Sequence, residues 1–69
     1  MKRTYYIEEV DKITHEKEMD MVQASSVFGV KRLATSRKKF NKSILNIYSH
    51  NYVLIASRPE TVWKTVYSK

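Results

Sequence analysis

Hydrophobic and polar positions divide the chain into stretches of different period. Arg3 to Ile13 reads Arg-Thr-Tyr-Tyr-Ile-Glu-Glu-Val-Asp-Lys-Ile. Its β-branched and aromatic residues favour a strand. The alternation is imperfect: Tyr5, Ile7 and Ile13 share one parity, while Tyr6 and Val10 share the other. Tyr6, Val10 and Ile13 also fit helical spacing, so residue type decides for the strand. Thr14 to Asp20 is polar and charged and reads as a turn or loop. Met21 to Ala24 is short, and fits either a second strand paired with the first or the start of a helix.

Ser25 and Ser26 are good N-cap residues, because a serine oxygen accepts from an orphan backbone N–H. From there to about residue 41 the spacing is helical. At roughly 100° per residue, Val30, Leu33, Ala34, Arg37 and Phe40 fall in one arc. Lys31, Arg32, Thr35, Lys38, Lys39 and Lys42 fall in another, nearly opposite. The expected helix is therefore amphipathic, with a basic face set against an apolar one. Gly29 costs such a helix about 1 kcal/mol relative to alanine, or else separates two short helices. Phe28 projects about 60° from Lys31, on the basic side.

Ile44 to Ala56 reads as a β-hairpin around His50-Asn51, since Asn tolerates the left-handed turn conformation. His50 is less usual there, which leaves room for a longer turn. Apolar residues on both parities of both strands place them centrally in a sheet, or under a helix or another subunit. Arg58 to Lys69 is balanced between two readings. Pro59-Glu60 and the pairs Val62/Val66 and Trp63/Tyr67 favour a helix. The β-branched Thr61, Val62, Thr65 and Val66 favour a strand, and helix is taken by a small margin. The expected fold class is α+β: one small domain over residues 1–69, with N-terminal strand or strands, a central basic amphipathic helix, a β-hairpin and a short C-terminal helix or strand.

Composition narrows the function. Sixty-nine residues leave a thin core, with only about 60% of the unfolded surface buried. The thin core makes a homodimer a natural remedy. Zero Cys excludes a disulfide framework, a Cys-ligated zinc site and thiol catalysis. Thr4 to Asp11 carries Glu8, Glu9 and Asp11 where a signal peptide needs an apolar run. The longest apolar run, Tyr52 to Ala56, is far short of the roughly 20 residues of a membrane span. A cytoplasmic protein without membrane association is expected.

Charge is unevenly spread. Residues 1–20 are net acidic, with six acids against four bases. Residues 21–69 hold nine bases and one acid, Glu60. Lys31, Arg32, Arg37, Lys38, Lys39 and Lys42 fall together with no acid among them. Such asymmetry points to a polyanion, to an acidic protein surface, or to self-association of opposite patches.

Catalytic and metal motifs are mostly absent. His15-Glu16-Lys17-Glu18-Met19 begins like a zinc-protease helix, but Met19 stands where the second His is needed. One Gly excludes a phosphate-cradling loop, and no nucleophile elbow is present. His15 and His50 with the basic cluster are the residues available for a small RNA-cleaving site; a hairpin-turn role for His50 and a loop role for His15 are simpler. No cofactor and no metal are expected. Gln23 to Lys38 resembles a helix-turn-helix core in part, with Gly29 in the turn and Lys31 to Lys38 as the recognition helix. Ser25 departs from the small alanine the motif wants, Thr35 and Lys38 depart from its buried apolar positions, and no helix precedes it.

The leading expectation is a small non-enzymatic nucleic-acid-binding protein, with DNA ahead of RNA. Lys31, Arg32, Lys38, Lys39 and Lys42 would contact backbone phosphates from one helix face. No Asn or Gln on that face supports base readout. The alternative is a compact regulator or inhibitor whose basic face docks on an acidic protein. Phe40 and Trp63 are expected in the core, given the apolar area each buries.

Overall fold

The computed structural model describes residues 2–66. Its elements run β1 (Arg3–Asp11), β2 (Lys17–Ala24), α1 (Val27–Ser36), β3 (Ser43–Tyr48), β4 (Leu54–Arg58) and β5 (Lys64–Thr65). The strands form one antiparallel sheet in the order β2-β1-β3-β4-β5, and α1 packs on one face of it. The α+β expectation thus holds in its coarse form, as a five-stranded sheet with one helix.

Strand pairing makes the imperfect alternation of β1 intelligible. Tyr5, Ile7 and Glu9 face α1, with Tyr5 opposite Val22 and Ile7 opposite Ile47. Val30, Ala34, Leu45, Ile47 and Ala56 complete the buried core. Tyr6, Glu8 and Val10 point to the opposite, helix-free face, where partial cover is enough. There Glu8 accepts from Asn46 Nδ2 (3.0 Å) and from the Tyr48 hydroxyl (3.1 Å). Burial and the Glu8 contact both push the Tyr48 phenol above its ordinary pKa.

Lys17 to Asp20 belongs to β2 and not to a loop. The segment is polar because β2 is an edge strand, largely exposed before Val22 and Ala24 reach the core. The turn before it is set by Asp11, whose side chain accepts from Ile13 N–H at 2.8 Å. That bond lowers the Asp11 pKa. His15 takes the left-handed conformation there, with φ 65°, a region that non-glycine residues such as His and Asn occasionally supply in turns.

The helix begins where expected: the Ser26 hydroxyl accepts from Gly29 N–H at 3.2 Å. It runs unbroken through Gly29, so residues 23–38 do not form a helix-turn-helix; Gln23 and Ala24 lie in β2. It ends at Ser36, five residues before the expected stop. Thr35 and Ser36 hydroxyls donate to last-turn carbonyls, which competes with helix propagation. Beyond it, the buried Glu9 carboxylate accepts from Lys39 N–H (2.9 Å), Phe40 N–H (3.0 Å) and the Ser43 hydroxyl (2.7 Å). These bonds fold residues 37–42 back against β1.

The β3–β4 turn is longer than His50-Asn51. Ser49 N–H donates to Val53 O, and Tyr52, not Asn51, takes the left-handed conformation with φ 62°. The Tyr52 ring stacks on Tyr6, centroids 4.5 Å apart. After β4 the chain turns at Pro59–Val62 and adds β5 along β4, with Thr65 opposite Ala56. The expected C-terminal helix is therefore corrected to a strand. The β-branched Thr65 suits the pleated edge, and Val66 N–H donates to Ile55 O at 2.8 Å. The part of that expectation on Tyr67 to Lys69 lies outside the described residues.

Candidate interaction groove

A groove runs along the helix-bearing side, from the loop after α1 to the space between α1 and the chain that follows β4. Its first part, about 450 Å³, is lined by Lys12, Lys38, Lys42, Arg58, Glu60 and Thr61 among others. Its second part, about 300 Å³, is lined by Phe28, Lys31, Arg32, Arg58, Thr61 and Trp63 among others. Arg58 and Thr61 border both.

Each lining residue has a local reason for its place. Phe28, Lys31, Arg32 and Thr35 follow the i, i+3, i+4, i+7 spacing of one helix stripe, so α1 offers them together. Phe28 is 69% exposed. Trp63 packs against the edge of the core, and Lys31 Nζ lies 5.9 Å from its ring centroid. That distance suits a cation–π contact. Lys12 joins the groove because its N–H donates to Lys42 O at 3.0 Å, tying the first turn to the start of β3. Arg58 ends β4 opposite Leu45, on the parity of the buried Ala56, and so points to the helix side.

Among the five basic residues expected on one helix face, only Lys31 and Arg32 lie in α1. Lys38, Lys39 and Lys42 sit in the following loop. The groove still gathers four of the five: Lys31, Arg32, Lys38 and Lys42. Lys39 instead reaches β2, where it pairs with Glu18 at 3.2 Å. The Glu18 contact raises the Lys39 pKa. Lys38 donates to the Phe40 and Asn41 carbonyls of its own loop. Phe40 is only half-buried and stands outside the core cluster, contrary to expectation, because its loop lies beyond the helix end.

Sequence alone does not mark Lys12, Arg58 or Trp63 as groove residues. Phe28 carried a signal, its projection beside Lys31. Arg58 and Lys12 carried none, since only the strand pairing brings them near α1.

The acidic N-terminal segment meets the basic loop inside one chain, through Glu18–Lys39 and through Glu9. His15 and His50 cannot share a catalytic site. Asp11 pairs with Ser43 and Tyr6 with Tyr48, so the two histidine turns lie at opposite ends of the sheet, about 16 Å of strand apart. Among the described residues no cluster of three or more His, Asp or Glu could hold a metal ion. No helix among them is long and apolar enough to cross a membrane.

No family model and no curated protein matches the chain. Among solved structures, the chain is similar to AcrIF9, a name that denotes an anti-CRISPR protein. The identity is 27% and the TM-score 0.83, over 100% of this chain and 92% of that one.

Proposed function

We propose that the chain is a small non-enzymatic inhibitor that docks on a CRISPR–Cas complex through the groove beside α1. The observation that carries this reading is the likeness to AcrIF9 over the whole chain, at a TM-score of 0.83. The charge supports it further: net +6 in 69 residues, with cations gathered on one concave surface. Such a patch steers association with an acidic surface and makes its rate depend on salt. Inhibition then follows from occupancy, without bond-breaking chemistry, in the cytoplasm where the target works.

A second reading keeps the same groove and changes the partner. Lys31, Arg32, Lys38 and Lys42 line one surface, as backbone-phosphate contacts would require. It ranks below the first because the likeness to AcrIF9 supports a protein-binding inhibitor and does not extend to nucleic-acid binding. One experiment separates the two. The chain is mixed with a purified type I-F Cas complex, and separately with duplex DNA, at about 50 and 200 mM salt. A stoichiometric protein complex surviving the higher salt supports the inhibitor. Binding to DNA alone, collapsing at the higher salt, supports the second reading.

A further inference from the structure

The face of the sheet opposite α1 carries no second layer among the described residues. Strand register places Met21, Tyr6, Tyr48 and Leu54 in one cross-strand row on that face, and Met19, Glu8 and Asn46 in the next. The Tyr52 ring stacks on Tyr6, and Met19, Met21 and Tyr52 are each more than half exposed. An apolar and aromatic patch of this kind marks an interaction surface. Tyrosine offers it rigid rings with polar tips, and methionine adapts to an irregular partner.

One acid stands within the patch. Glu8 is half-buried, with Tyr6 and Val10 beside it along β1 and Met19 and Asn46 across from it. Its bonds from Asn46 Nδ2 and the Tyr48 hydroxyl both end on Oε1. Among the described residues, Oε2 accepts no side-chain bond, and Lys17, diagonal to Glu8 across β2, makes no ion pair with it. A carboxylate among apolar neighbours is screened less than one in open water. A cation over a tyrosine face gains further from the ring quadrupole. A neutral or anionic partner gains neither, so the charge of the patch selects a cation.

We propose that this face is a second docking surface, separate from the groove, and that its centre seats an arginine or lysine side chain of a protein partner. The cationic group bonds Glu8 Oε2 and lies against the neighbouring tyrosine rings, while Met19 and Met21 cover apolar residues beside it. The chain thus presents two faces of opposite preference, a basic groove on the helix side and a cation-accepting patch on the other.

The test uses the full chain, wild type and with E8Q, Y52N or R32E. The probes are capped peptides in which Leu alternates with Arg, Gln or Asp, each at about 1 mM. The readouts are the Asn46 side-chain amide and the backbone amides of β1. The Arg peptide is expected to shift the Asn46 amide and those of Tyr6 and Glu8, although chain and peptide are both cationic. The Gln and Asp peptides should leave them in place. E8Q keeps an oxygen for Asn46 and Tyr48, and should weaken Arg-peptide binding roughly fivefold or more. Y52N removes a ring while Asn suits the left-handed φ of 62°, and should weaken it about threefold. Both variants should keep the dispersed amide spectrum of the wild type, so a loss of binding is not a loss of fold. R32E, on the groove, should not weaken it. Equal binding by E8Q and Y52N, an equal response to the Gln peptide, or no response to any peptide overturns the proposal. Each of these outcomes leaves the groove reading standing, because that is decided by binding of the Cas complex.

Discussion

Glu9 accepts the backbone N–H of Phe40 at 3.0 Å, across 31 positions of sequence. With Lys39 N–H and the Ser43 hydroxyl, this bond fixes the path of the loop that carries Lys38 and Lys42 into the groove. Burial alone would raise the Glu9 pKa. The backbone N–H groups of Lys39 and Phe40, the Ser43 hydroxyl and the Lys38 charge outweigh it and hold the pKa below the ordinary 4.5. E9Q keeps the shape but sets an amide NH₂ against donors. It should cost about 2–4 kcal/mol at neutral pH, read by urea denaturation.

The same carboxylate gives a pH signature. Its folded pKa is depressed, so its contribution is present above the ordinary value and is lost as pH falls through the folded pKa. Wild type should lose more stability than E9Q between about pH 6 and pH 3. Parallel loss in the two proteins would show that Glu9 is not the group responsible.

Gly29 sits in α1 without a positive φ, and an added Cβ would meet only Ser26 Oγ at 3.6 Å and Ala24 Cβ at 3.7 Å. These are ordinary contacts. G29A should therefore stabilise the protein by about 0.5–1 kcal/mol, through helix propensity and a less flexible unfolded chain. Thermal melting of the two proteins checks this.

Lys39 and Lys42 stand three residues apart but face different ways, one to Glu18 and the other into the groove. Charge reversal should separate them. R32E and K42E should weaken binding to the Cas complex, each by roughly tenfold, as repulsion replaces attraction on the docking surface. K39E should leave binding nearly unchanged. Calorimetric titration of the three variants distinguishes a groove from a diffuse basic surface, which would weaken equally with each.

Trp63 is the one tryptophan in the chain and lies on the groove wall beneath Lys31. Its emission should change when the groove is filled. An acidic peptide should shift or quench it, and F28A should reduce that response while the chain stays folded, because Phe28 is exposed.

Much of the frame was legible in sequence because it rests on local rules. Ser26 as N-cap, β1 from its aromatic and β-branched residues, and the β3–β4 hairpin follow from neighbours in the chain. The misreadings share one cause, which is contact at long range. Lys17 to Asp20 reads as a loop until β1 pairs with it. The helix reads on to residue 41 until a glutamate 30 positions before Lys39 captures the loop. Thr65 reads as part of a helix until β4 offers an edge. The site shows the same division. Lys31 and Arg32 follow from helix periodicity, whereas Arg58 and Lys12 reach the groove only through strand register.

The most direct test of the central claim is size-exclusion chromatography with light scattering of the chain mixed with a purified type I-F Cas complex at about 200 mM salt, followed by DNA binding to the isolated peak. Co-elution at fixed stoichiometry, with DNA binding by the complex abolished, is the predicted result. Separate elution with unaltered DNA binding would contradict the inhibitor reading.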